Sequence, residues 1–248
     1  MTPLSARHWP RPFDTPDRLR RRQLTGLGPR GSPALRRYLS TPLPGESTRI
    51  SDLHLLAIDM ETTGLDPDRD RWLSVGFVPI DLGPGGHEIV LGGAGEALVR
   101  PELVGEDRGV GDSAVVHGLT DDTVASGLPL PDALDRVLDA LAGRVLVAHF
   151  TQIEVGQLTR AARVIHGIRL PLVTLDTLEL QFAILGGDQA RIPSGALRLW
   201  AAREQYGLPE TPPHDALSDA LACAELFLAQ LQDEHLPRGR GRLGDLRR

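Results

Sequence analysis

The chain has 248 residues, a formal net charge of −6 and a single cysteine, and no apolar run nears the roughly 20 residues that a membrane span needs. This length allows one well-buried domain with appendages, or two small ones, while Cys223 alone excludes an internal disulfide and fits a reducing cytoplasm. All 27 basic residues are arginine, which excludes a Walker-type nucleotide site and lysine-dependent phosphatase chemistry.

Charge is unevenly spread. Residues 1–50 carry 10 arginines against three acids, and residues 235–248 carry five arginines against Asp245. Between them, residues 51–234 hold 12 arginines and 29 acids. The expected organisation is an Arg/Pro-rich extension over 1–50, partly disordered, an α/β domain over 51–234, and a basic disordered tail over 235–248. The extension contains one short helical stretch, "SPALRRYL", and the opening "MTPLSARHWP" lacks the apolar core of a secretion signal.

Within the domain, "LHLLAIDM" is apolar on both faces and predicts a central strand. "RWLSVGFVPID" predicts a second strand and "EIVLGGAGEALVR" a third with a Gly-rich break, joined by short spacers as an antiparallel meander. The spacing of Leu134, Val137, Leu138 and Leu141 predicts a helix. The strand "RVLVAH", the helix "QIEVGQLTRAARVI" and the short strand "LPLVTLDT" follow. Helices around "GALRLWAAREQYG" and "DALSDALACAELFLAQLQD" close the domain. Together these elements predict a mixed five-stranded sheet flanked by helices.

Four acids stand at awkward places in this pattern. Asp59 and Glu61, two apart on the first strand, leave the same face, and Asp59 lies inside an apolar run. Glu154 opens the helix after "RVLVAH", and Asp219 sits early in a helix that is apolar nearly all round, with Asp215 as its N-cap. No arginine lies between Arg49 and Arg69 or between Arg203 and Arg238 to pair with these motifs. Acids at the ends of adjacent elements are better satisfied together, by two divalent cations. Hard oxygen ligands select Mg²⁺ or Mn²⁺ over Zn²⁺. Two such ions about 4 Å apart suit a phosphodiester displacement. His214, just before the last helix, has the pKa range of a general base for an attacking water.

"DMETTGL", "VAHFTQIEVGQL" and "HDALSDA" resemble, in order, the three motifs of the histidine-type DEDD 3′–5′ exonucleases. These are the epsilon subunits of DNA polymerase III and their relatives, with a ribonuclease H-like fold. The resemblance covers roughly residues 53–232, and "VVHGLT" resembles a further family feature. It implies that Asp59 and Glu61 hold metal, joined by Asp219 from the helix, with His214 as base. Thr62, Thr63 and Leu65 would hold the 3′ end, Leu65 wedging against the terminal base. Glu154 replaces the usual aspartate and would act on the second metal through water. The implied reaction is metal-dependent hydrolysis from the 3′ end of DNA or RNA, releasing nucleoside 5′-monophosphates. The implied partners are a nucleic acid 3′ end, single-stranded by preference, and a replication or repair polymerase, with no membrane. The alternative is an exonuclease-like module, weakened through Glu154, that binds nucleic acid or a protein.

Other residues read as structural. His117 and His166 are expected to be structural or surface histidines, with the site wall an alternative that the resemblance gives His117. Asp176 is expected to cap a helix, Cys223 to be a small buried residue, and Trp200 and Tyr206 to be core or cap residues.

Overall fold

The structure is a computed structural model that describes residues 15–29, 31–83, 85–100, 110, 118–211, 214–236 and 241–247. Strand β1 (Leu55–Thr62) is its centre, with Leu55, Leu56, Ala57 and Ile58 inaccessible to solvent. A strand covered on both faces can be apolar at every position, which explains the unbroken run at its start. β1 pairs antiparallel with β2 (Trp72–Gly83) and parallel with β5 (Val145–Ala148). β2 pairs in turn with β3 (Gly86–Ile89), and β5 with β6 (Thr174–Asp176), giving the order β3-β2-β1-β5-β6.

β4 (Gly95–Leu98) makes the sheet six-stranded instead of five. The expected third strand is divided by a 3₁₀ turn at Leu91–Gly93 into β3 and β4, which pair with different halves of β2. β2 is 12 residues long, so one strand has room for two short partners. The mixed sheet and its helices match the expected α/β, ribonuclease H-like fold.

Helices cover the sheet. α3 (Asp121–Ala125) precedes α4 (Leu130–Leu141), which buries Leu134, Val137, Leu138 and Leu141, the face given by their spacing. α5 (Gln152–His166) follows β5 and ends at Gly167, whose φ of 70° lets the chain reverse. α6 (Thr177–Ile184) and α7 (Leu199–Gln205) lead to α8 (Ala216–Gln230), which packs against β1, β2 and β5. Among the described residues no helix is long and apolar enough to cross a membrane. Trp200 is 63 % exposed, so it belongs to neither core nor cap, whereas Tyr206 caps α7 and donates its hydroxyl to Asp233.

The segment before residue 51 is more structured than its composition suggests. α1 (Pro16–Gly26) and α2 (Pro33–Ser40) begin with side-chain caps from Thr15 and Ser32. Ala34, Leu35, Tyr38 and Leu39 form one face of α2 and join the main core. Ser32 and Arg37 bond Asp135 and Asp139 of α4 at 2.6 and 2.7 Å, and the Tyr38 hydroxyl donates to the Pro171 carbonyl. The few large apolar residues cannot make a core of their own, yet at helical spacing they complete the core of the body. Arg20, one of the ten arginines before residue 51, is buried against Asp17 and the Leu39 carbonyl.

The C-terminal stretch differs from expectation in the same way. Gly241 and Leu243 exchange backbone hydrogen bonds with Ile50 and Thr48, and Leu243 and Leu246 are buried. Two apolar residues in a Gly/Arg-rich stretch suffice to fasten residues 241–247.

If α2 is core, Leu39→Ala should cost about 2–5 kcal/mol, as for other buried leucines. Urea unfolding followed by circular dichroism measures this, and a loosely attached extension would give a change near zero.

Candidate active site

The end of β1 sets the site. Asp59 and Glu61 project from one face, in register with Gly76 and Ser74 of β2. Opposite Asp59 the backbone of α8 lies directly on Gly76, where a methyl group would overlap the main chain of Ala216 and Leu217. That close approach carries Asp219, in the first turn of α8, to the two β1 acids. A glycine inside a strand signals close backbone approach, so Gly76 was readable as special, although its partner was not.

His214 has the left-handed backbone conformation, φ 69°, and its N–H donates to Asp219 Oδ2 at 2.8 Å. Its side chain is exposed. Asp215 caps α8 through Ser218 N–H at 2.7 Å, as its position in the sequence predicts. One potential ligand atom each from Glu61, His214 and Asp219 lies within 4.8 Å of the others.

Glu154 comes from the first turn of α5 and is only 3 % exposed. Its Oε2 has no hydrogen-bond partner among the described residues. The turn before it is braced by Asp176, which accepts from Phe150 N–H, Thr151 N–H and the Thr151 hydroxyl at 2.9, 2.8 and 3.1 Å. The same carboxylate caps α6 through Leu178 N–H. The capping role was legible in the sequence; the bond across to the β5–α5 turn joins residues 25 positions apart and was not.

Burial and mutual repulsion raise all four acids above the usual carboxylate range. Desolvation is the main cause for each. Asp219 and Glu61 then act on Asp59, Asp219 on Glu61, and Asp59 on Glu154. The His214 N–H pulls Asp219 partway back. None of the four carboxylates forms an ion pair with arginine among the described residues. Crowded oxygen ligands, an unpartnered buried carboxylate oxygen and no neutralising guanidinium fit a hard divalent cation.

The turn after β1 holds the other expected residues. The Thr62 hydroxyl donates to the Gly64 carbonyl at 2.7 Å. The Thr63 hydroxyl bridges Asp70 Oδ1 and Arg71 N–H at 3.1 and 3.0 Å. Both threonine side chains therefore shape the turn, and Asp70, missed in the sequence, is the partner of Thr63 and of the Asp66 N–H. Leu65 at its tip is 72 % exposed, an unusual position for a leucine. His149 is half-buried and structural: its Nε2 donates to the Leu197 carbonyl, Nδ1 faces the Thr177 hydroxyl, and desolvation pushes its pKa down. Cys223 is buried as expected, and His117 lies outside the described residues.

With this geometry in place, the exonuclease family model matches residues 56–227. The chain belongs to the exonuclease family. It is 30 % identical over 186 residues to a DNA polymerase III subunit epsilon-like protein of Rhodobacter capsulatus, covering 74 % of this chain and 24 % of that protein. The DNA polymerase III epsilon subunit of Treponema pallidum is 27 % identical over 71 % of this chain and 75 % of its own length. For a PolC-type DNA polymerase III of Thermotoga maritima the values are 26 % identity, 74 % of this chain and 12 % of that protein. The chain thus spans a quarter or less of two of these relatives.

Solved structures share the fold at low identity. The nuclease domain of 3′hExo, a DEDDh family member bound to rAMP, superposes with a TM-score of 0.59 at 18 % identity, over 76 % of this chain and 96 % of that one. E. coli exonuclease I in complex with a dT13 oligonucleotide gives 0.58 at 15 % identity, over 74 % of this chain and 41 % of that one.

Two outcomes follow from the crowding. Gly76→Ala should force α8 away from β2 and lower unfolding free energy by about 1–3 kcal/mol, measured by urea titration. The second concerns pH. Acids whose folded pKa lies above the unfolded value hold more protons when folded. In chelator, their contribution to stability therefore falls as pH rises from about 4 through the raised folded values. Asp59→Asn should then be more stable than wild type in chelator, by an amount that grows across this range to about 1–3 kcal/mol. Calorimetric scans from about pH 4 to 8 measure this difference.

Proposed function

We propose that the protein is a metal-dependent 3′–5′ exonuclease that releases nucleoside 5′-monophosphates from the 3′ end of a single-stranded DNA. The carrying observation is the grouping of Glu61, Asp219 and His214 with Asp59, which in turn acts on Glu154, none of the four acids having an arginine partner among the described residues. These four acids would hold two Mg²⁺ or Mn²⁺ ions, Glu154 through water. Bound there, such ions supply Lewis-acid polarisation of a phosphate and favour ionisation of a water near neutral pH.

The chain's own residues do the rest. His214 takes a proton from the water that attacks phosphorus. Its exposure lets the imidazole pass that proton to solvent, and its backbone bond to Asp219 fixes where the ring stands. The P–O3′ bond breaks, the 3′ oxygen regains a proton, and the phosphate leaves on the 5′ carbon of the released nucleotide. The braced turn presents Leu65 to the terminal base, and exposed leucine suits such a wedge.

DNA as substrate, and a replication or repair polymerase as partner, take support from the epsilon and PolC names of the relatives. The acidic body disfavours a long electrostatic footprint, which suits engagement of a few terminal nucleotides.

Strands labelled at either end, of DNA and of RNA, test the reaction. Asp59→Ala should abolish hydrolysis with the fold intact by circular dichroism. His214→Ala should lower kcat by about 10² or more. Glu154→Asp should keep substantial activity and Glu154→Gln lose most of it. Full activity in excess chelator, internal cuts, or 3′-phosphate products would each reject the mechanism.

A further inference from the structure

A second concavity, of about 350 Å³, has none of the five site residues in its wall. Its size is at the small end of ligand pockets. Gln157, one helical turn beyond Glu154 on α5, lines it while only 2 % exposed. The Gln157 Nε2 has no hydrogen-bond partner among the described residues. A buried amide donor left unpaired is costly, and a turn of the Gln157 side chain into the cavity would let a ligand oxygen satisfy it.

The remaining wall states which oxygen. Arg69 and Arg71 from the turn after β1, Arg100 after β4 and Arg160 on α5 line the cavity, against Asp68 and Asp70. Asp68 is paired with Arg160 and Arg163, so Arg160 is itself partly committed, and Asp70 accepts from the Thr63 hydroxyl and the Asp66 N–H. Guanidinium groups match phosphate oxygens in pairs. Trp72, Val99 and Leu130 add an apolar side too large for phosphate alone to use.

We propose that this cavity binds a nucleoside monophosphate, its phosphate on the arginines and Gln157 and its base on the apolar side. The choice of a nucleotide over other aromatic phosphate esters rests on the proposed exonuclease reaction, which forms this product at the acid cluster. The cavity itself does not depend on that reading.

Calorimetric titration of the chelator-treated full chain with dAMP, inorganic phosphate and deoxyadenosine tests the assignment. One saturable dAMP site is expected, with phosphate weaker and the nucleoside without measurable heat. Gln157→Leu and Arg100→Ala should each weaken dAMP by about tenfold or more. Arg100 is exposed, so its variant guards against misfolding of the first. Asp59→Ala should leave dAMP binding unchanged, which separates this cavity from the acid cluster. Absence of saturable binding, loss of it in Asp59→Ala, or unchanged affinity in both cavity variants would overturn the proposal. Equal competition by an oligonucleotide without terminal phosphates would also overturn it, assigning the cavity to internal phosphates of a strand. Inactivity of the wild type on labelled strands would reject the exonuclease reading and leave the titration interpretable.

Discussion

Carboxylates crowded together with no arginine partner among the described residues are the constraint around which this molecule is arranged. Repulsion among Asp59, Glu61 and Asp219 pushes β1 and α8 apart, and burial makes every one of those charges harder to keep. The opposing force is apolar. The start of β1 is sealed on both faces, and α8 buries Ala220, Cys223, Ala224 and Phe227 just beyond Asp219. Gly76 removes the one side chain that would hold the two elements apart. The packing thus keeps acids together that would separate if free.

The same economy appears in the backbone. Among the described residues, Phe150 and His214 are the non-glycine residues with positive φ, and both stand just before a helix that carries a site acid. A left-handed conformation costs such a residue roughly 1–2 kcal/mol. Each is held by a carboxylate on its N–H: Asp176 at 2.9 Å for Phe150, and Asp219 at 2.8 Å for His214. Asp219 therefore both faces the cluster and fixes the loop that presents the imidazole. Strain, capping and chemistry are tied into the same short segments.

How far the sequence reveals this depends on how local each signal is. β1, α4 and α8 are legible because their burial patterns lie within a few consecutive residues, and the motif acids fall on the predicted strand end and helix starts. β4 was hidden because its pairing with the first half of β2 reaches back over β3. Leu35, Tyr38 and Leu39 look too sparse for a core, since their complement is α4, a hundred residues later. Residues 241–247 look like tail for the same reason, because Leu243 finds its place beside Thr48. Trp200 misleads in the other direction: its size suggests core, but the face of α7 that is buried belongs to Ala201, Ala202 and Arg203.

Arg203 shows how a chain whose only cations are arginines keeps its acid cluster open. It is buried beneath α8 and close enough to lower Asp219 slightly by its field. A mobile guanidinium at this place would fold onto the carboxylates, pair with them in a fork geometry, and occupy the oxygens a divalent ion needs. Its nitrogens are committed elsewhere: to the Ala222 carbonyl at 2.7 Å, the Pro209 carbonyl at 2.8 Å and Glu225 Oε2 at 2.8 Å. Two of these contacts come from α8 itself, so the bonds that anchor the helix also withdraw the cation from Asp219. Fixing Arg203 is therefore as much a condition of the site as bringing the acids together.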